Sequence, residues 1–297
     1  MIKFEKILCR NLEISNLVHS YSYVNAEFNN LEEKYLYRLA PNYFTQLVFE
    51  LEDGINKLES NGYLKDITQG SHFKISHFNY IDVYRKSIKK AKVRHVKVNL
   101  YPHAIFRIFN ISPIEIKDDL NFNIKDVITR SEYDILFEQL YFSKDIFEKI
   151  MIIEIFLLNK LKSSKKSINF NYVEEALNSN FNINLKELSF NLGFSQRWLQ
   201  KNIKEATGAN LKLIISNKRF LKAISLINRN LINNTNISLT LISYECNYYD
   251  QAHFIKEFKR FMGMTPLEYI RSFNDKKDNY ILTLQSFNTL IDVFNKD

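Results

Sequence analysis

Cysteine, glycine and long apolar runs are scarce in this chain of 297 residues, and each shortage removes a class of protein. The two cysteines, Cys9 and Cys246, lie far apart and in no metal-binding or redox spacing, which points to two reduced thiols rather than a disulfide framework. No apolar run reaches the roughly 18 residues of a membrane-spanning helix. The best candidate, IMIIEIFLLNKL at 150–161, is short and interrupted by Glu154. The opening MIKFEKILCRNLE carries charges where a secretory signal needs an apolar core, so the chain is expected in the cytoplasm and away from membranes. Its six glycines include no phosphate-cradling loop, and residues 1–165 contain no nucleophile motif, acid/base pair or cofactor motif. No catalytic residue and no cofactor is therefore assigned.

What is present is ample core material and a localised charge. A hydrophobic fraction of 45%, with 24 Phe and 17 Tyr, suffices for two globular cores and excludes disorder throughout. The net charge of +8 sits in one place: from Lys186 to Lys277, 15 Lys and Arg face 7 Asp and Glu, leaving 26 of each sign elsewhere. A basic segment joined to a neutral one suggests a polyanion-binding module beside a domain with another role.

The pattern along the chain divides at the same place, and the expected fold is α+β. FTQLVFEL and VRHVKVNLYP read as strands, and Asn61-Gly62 is a hairpin-turn signal. From Ser131 the apolar spacing becomes helical, with Ser131 and Ser143 as expected N-caps. KSSKKS at 162–167 reads as a linker, and 169–273 reads as helices with breaks at 191–193, 207–208, 233–235 and 262–263. The expected domains are a β-rich, cupin-like barrel ending in helices at 1–165, an all-α domain at 166–278, and a helical tail at 279–297.

The all-α part contains an internal repeat. Leu185, Leu188 and Ser189 correspond to Leu239, Ile242 and Ser243, all 54 apart; Leu199, Ile203 and Gly208 correspond to Phe254, Phe258 and Gly263, all 55 apart. Each copy is a helix, a tight turn at Gly193 or Asn247, and a second helix closed by glycine, which is a helix-turn-helix twice over. Asn is the non-glycine residue best suited to a left-handed turn. On a helical wheel Phe254, Phe258 and Phe261 fall within about 60° of one another, with Gln251 and Met262 at the margins. Tyr249, Ala252, His253, Lys256, Lys259 and Arg260 take the other side. In the first copy Leu199, Ile203 and Ala206 point inward and Arg197, Trp198, Lys201 and Lys204 outward. Long basic and amide side chains on the outer face of such a second helix suit base edges and phosphates in a DNA major groove.

These residues carry a family resemblance. LKELSFNLGFSQRWLQKNIKEATG, NKRFLKAISLI and ISYECNYYDQAHFIKEFKRFMGMTPLEYI closely resemble the DNA-binding domain of AraC/XylS-type bacterial transcriptional regulators, over about 90 residues. Ser189 and Ser243 stand where alanine is usual, and Asn247-Tyr248 where Gly-Phe is usual. The resemblance implies two helix-turn-helix units joined by a helix over about Leu211 to Asn228 and inserted into successive major grooves. Transferred onto matching positions, it implies base or nearby contacts from Arg197, Gln200 and Lys201 in the first unit and from Gln251, Ala252, His253 and Lys256 in the second. Trp198, Lys204, Lys259 and Arg260 complete the expected DNA-binding set. A weaker resemblance, of KVNLYPHAIFRIFNISPIEIKDDL to the end of such regulators' sensor domains, rests on Tyr101, Pro102, Ala104, Ile108 and Phe109.

The expected partners are a promoter operator in duplex DNA, RNA polymerase, a small-molecule effector at the N-terminal domain and a second copy of the chain. The dimer expectation rests on DIFEKIMIIEIFLLNKL, where Ile146, Ile150, Ile153 and Leu157 form a stripe that Phe147, Met151, Phe156 and Leu158 widen. The competing reading is a small-molecule-binding or cupin-type enzyme with an accessory helical domain. His72, His77, His95 and His103 lie in the β-rich part, but no glutamate at the usual paired spacing accompanies them, and no metal is expected. Cys9 lacks the flanks of methyl-accepting regulators, which argues against alkyl transfer. The basic run SIKKAKVRHVK at 87–97 reads as a solvated strand edge.

Overall fold

The computed structural model describes residues 2–39, 41, 44–53, 56–60, 63–66, 68–74, 80–116, 122–164, 171–178 and 185–275. The Asn61-Gly62 turn, His77, positions 165–167 of the linker and the tail at 279–297 lie outside them. The N-terminal part is strand-rich, as expected. Its strands are β1 (Ile2–Leu8), β2 (Val18–Leu31), β3 (Lys34–Leu39), β4 (Thr45–Glu50), β5 (Asn56–Ser60), β6 (Tyr63–Asp66), β7 (Gly70–Lys74), β8 (Ile81–Arg85) and β9 (Ile88–Leu100). They form two antiparallel sheets, ordered β1-β2-β9-β4-β7 and β3-β8-β5-β6.

One face of the larger sheet is apolar, because Tyr21, Leu47, Phe49, Val96, Val98 and Leu100 all point to it. That face packs on α1 (Ala104–Phe109), α3 (Arg130–Phe142) and α4 (Ile146–Ser163), with α2 (Pro113–Ile116) following α1. The opposite face is polar, since register places Ser20, Ser22, Gln46, Glu50, His95, Lys97 and Asn99 there. The reading of 87–97 as an edge holds only at its start. From His95 onward β9 is paired on both sides, with β2 and β4, and burial there pulls the Lys97 ammonium below the usual lysine range. A 13-residue strand can leave one end solvated and thread the other through a sheet centre.

The N-caps differ from expectation as well. Thr129 caps α3 in a reciprocal box with Glu132, and Asp145 caps α4, accepting from Phe147 and Glu148 backbone N–H groups. Ser131 is inside α3 and Ser143 is its C-cap. In each case the capping residue stands two positions from the serine: Thr129 has Glu132 three residues on to close a capping box, and Asp145 offers a carboxylate that accepts twice. Glu154, which interrupts the apolar run of α4, ties the helix to the sheet. Its carboxylate accepts from Tyr21 Oη at 2.9 Å and from Asn11 Nδ2 at 3.0 Å.

The C-terminal part is helical: α5 (Asn171–Asn178), α6 (Leu185–Leu192), α7 (Gln196–Thr207), α8 (Leu211–Ile232), α9 (Leu239–Glu245), α10 (Gln251–Met262) and α11 (Pro266–Asp275). A single apolar cluster runs through it, with α8 in the middle. Phe220, Leu221, Ala223, Ile224 and Ile227 of α8 are fully buried among Leu199 and Ile203 of α7 and Phe254, Phe258 and Phe261 of α10. Phe44 and the partly buried Tyr101 and Phe106, all from the N-terminal part, join the same cluster. Among the described residues no helix is long and apolar enough to cross a membrane, and no group of three His, Cys, Asp or Glu is placed to hold a metal ion.

Candidate nucleic-acid interface

The two repeat copies fold by the same local rules. Gly193 and Asn247 take φ of 69° and 56°, the left-handed region that a tight helix-to-helix turn requires. The backbone bonds around them match: Gly193 N–H donates to Phe190 O and Phe194 N–H to Ser189 O, while Asn247 N–H donates to Tyr244 O and Tyr248 N–H to Ser243 O. The second helix of each copy then starts from a side-chain cap. Ser195 Oγ accepts from Trp198 N–H at 3.2 Å, and Asp250 Oδ1 accepts from His253 N–H at 2.7 Å. Each helix stops at a left-handed glycine, Gly208 at φ 75° and Gly263 at φ 71°.

The apolar stripe and the polar stripe fall where the wheel puts them. Leu199, Ile203 and Ala206 are buried in α7, and Phe254, Phe258 and Phe261 in α10. Met262 is buried too, whereas Gln251, the other margin residue, is exposed. On the outer face of α7, Arg197, Gln200, Lys201 and Lys204 are exposed, and so are Ala252, Lys256, Lys259 and Arg260 on α10.

Three of the expected site residues have additional attachments. Trp198 stacks on Phe194 with ring centroids 4.1 Å apart and meets Tyr172 edge-on, so it is an exposed rim of an aromatic cluster rather than a free ring. Gln251 accepts from Thr240 Oγ1 of α9 at 3.0 Å, which fixes its side chain against the preceding helix. His253 is half-buried, edge-on to Tyr248, with Nε2 3.9 Å from Glu257 Oε1.

Glu257 belongs to a set that sequence reading missed. Its carboxylate is buried under α10, accepts from Ser216 Oγ at 2.6 Å, and lies 3.6 Å from Arg219 Nη2. Arg219 in turn donates from Nη1 to the carbonyl of Asn247 at 3.5 Å and sits over the Tyr248 ring. A signal was available: Glu257 is the one acid on the α10 stripe between Phe254 and Phe261, and a buried charge needs a partner. Tyr269 of α11 likewise donates to Asn228 of α8 at 2.8 Å, inside the core.

The geometry thus defines a double helix-turn-helix module with two outward-facing helices rich in amide and basic groups. Residues 188–272 match the family model described as a helix-turn-helix domain. The F1 operon positive regulatory protein of Yersinia pestis is 36% identical over 98 residues, a match that covers 33% of this chain and 31% of that protein's length. Among solved structures, ToxT from Vibrio cholerae aligns over 84% of this chain and 97% of its own, at 14% identity and a TM-score of 0.42. The C-terminal domain of AraT, a response regulator from Geobacillus stearothermophilus, aligns over 37% of this chain and 88% of its own, at 22% identity and a TM-score of 0.30.

Proposed function

We propose that this chain is a sequence-specific DNA-binding regulator of bacterial transcription, with α7 and α10 reading successive major grooves. The observation that carries the reading is the matched turn, cap and glycine geometry of the two copies, each presenting basic side chains outward. Arg197, Gln200 and Lys201, with Gln251, Ala252, His253 and Lys256, are assigned to base edges or their neighbourhood. Trp198, Lys204, Lys259 and Arg260 are assigned to the backbone and its sugars. The domain division at 1–165, 166–278 and 279–297 accompanies this reading. The N-terminal domain is assigned to effector sensing and to pairing with a second copy, and promoter DNA and RNA polymerase are the machinery acted upon.

Selection from a random duplex pool with the full chain tests the proposal. One sequence class should be enriched, protected over about two turns on one face because consecutive major grooves lie about 34 Å apart. Its affinity should fall steeply between about 50 and 200 mM salt as counterions are released from phosphates. An unenriched pool, or affinity indifferent to salt, would sink it.

A further inference from the structure

The two recognition helices are held by different parts of the chain. Beneath α10, Glu257 reaches back to Ser216 and Arg219 of α8, and Arg219 holds the carbonyl of the left-handed turn residue Asn247. Helix, turn and central helix are joined there by one polar set, buried at Ser216 and Glu257 and half-buried at Arg219. At the corresponding position of the first unit, 55 residues earlier, stands Asn202. Its amide donates to Trp198 O of its own helix at 2.8 Å, so the link made by Glu257 has no counterpart at that position.

The end of α7 is secured from elsewhere. The carbonyl of Glu205 is in the last turn, where helix geometry leaves carbonyls without an intrahelical donor. Ala209 N–H, which would reach it in a longer helix, is turned onto Thr207 Oγ1 instead. Ser112 Oγ, from the segment entering α2, donates to Glu205 O at 2.7 Å and accepts from Ile114 N–H at 3.4 Å. Next to it Pro113 lies so close to Gly208 that a Cβ on that glycine would be 3.0 Å from the proline Cβ. Gly263, the matching glycine of the second unit, is exposed, whereas Gly208 is buried.

We propose that Glu257 is the positioning residue of α10 and that Ser112 and Pro113 position α7, so that the N-terminal domain acts on the half of the DNA site read by α7 and leaves the other half unchanged. This rests on the DNA-binding reading above. The shared core around α8 sets the distance between the two units. The polar ties set the tilt of each helix, and the tie at Glu205 comes from the N-terminal part.

The experiment uses the full chain and a duplex selected by it, with hydroxyl-radical protection read separately for each half. Arg197→Ala and Lys256→Ala identify which half belongs to α7 and which to α10. Ser112→Ala and Pro113→Asp are expected to weaken the α7 half by about 3- to 30-fold and to leave protection of the α10 half as in the unsubstituted chain. Glu257→Ala should do the reverse, and Glu257→Gln, which keeps an acceptor for Ser216, should recover part of the loss. Should Pro113→Asp fail to fold, Ser112→Ala decides, because it removes a single hydroxyl. Equal weakening of both halves by either class of variant, or no change in variants that melt like the parent, overturns the proposal. Failure of the parent chain to enrich any sequence overturns the DNA-binding reading instead.

Discussion

Asn247 shows how much one residue can announce. A non-glycine residue at φ 56° is tolerated because its short amide suits the left-handed region, so Asn247→Gly should be close to neutral. Asn247→Val, β-branched, should cost about 1 to 3 kcal/mol in thermal or urea denaturation. A loss no larger for valine than for glycine would mean that the turn does not depend on this conformation. On the DNA-binding proposal, Lys259→Ala on the outer face of α10 should weaken cognate and random duplex alike and lower the salt slope by about one unit. Gln251→Ala should cost about 1 to 3 kcal/mol on the cognate site and little on random DNA. Competition binding at several salt concentrations separates the two outcomes. Turn residues and terminal glycines were legible in the sequence because each answers a local backbone demand. Glu257 and Arg219 were not, because a charge on an apolar stripe says that a partner is needed without saying which helix supplies it.

At the level of elements, periodicity located the helices and misassigned their ends. Ser131 and Ser143 are chemically good caps, but Thr129 with Glu132, and Asp145 with two accepted bonds, do the capping. The actual caps lie two positions from the serines that the sequence suggested. The end of α3 carries a feature with no sequence signature. Lys149, 1% exposed on α4, donates to Leu140 O at 2.9 Å, to Ser143 O at 2.8 Å and to Ser143 Oγ, closing the C-terminus of the neighbouring helix. Lys149→Met should take the ammonium donor from both carbonyls, Leu140 O keeping its bond from Ser143 Oγ, and cost about 1 to 3 kcal/mol in urea unfolding, with DNA affinity unaltered in the folded fraction. The same helix bears on self-association. Of its apolar residues, Ile146, Ile153 and Leu157 are buried, while Phe147, Met151 and Ile155 remain 68%, 56% and 54% exposed at successive four-residue steps. If that stripe pairs two copies, Met151→Glu should convert a dimer to a monomer by sedimentation at micromolar concentration. A parent chain already monomeric, with and without DNA, would remove the stripe from consideration.

Across the whole molecule, the contact between the two parts was the least legible, since no periodicity in either part encodes it. His103 lies in that contact, buried, 3.9 Å from Glu174 of α5, and burial together with the nearby Arg107 pulls its imidazole down to about 4. The folded chain therefore holds it neutral at pH 7. Because the folded value is below the 6.5 of an exposed ring, its contribution is fully present above pH 6.5 and is lost as pH falls toward 4. Unfolding free energy should decline across that window by up to roughly 3 kcal/mol on this account, and His103→Gln should flatten the decline. An unchanged pH profile in the variant would assign the acid sensitivity to other groups.

On the DNA-binding proposal, helix α8 has a consequence for the nucleic acid rather than for the protein. With 22 residues and one apolar core shared by both units, it holds α7 and α10 at a set spacing and cannot easily stretch or pivot to suit a duplex. Any mismatch with straight B-form DNA must then be absorbed by curvature of the DNA, at a cost set by the stiffness of the base steps between the two grooves. Pyrimidine–purine steps such as TA and CA kink most cheaply, so bases that no side chain touches should still be selected, and the middle of the enriched sites should be rich in flexible steps.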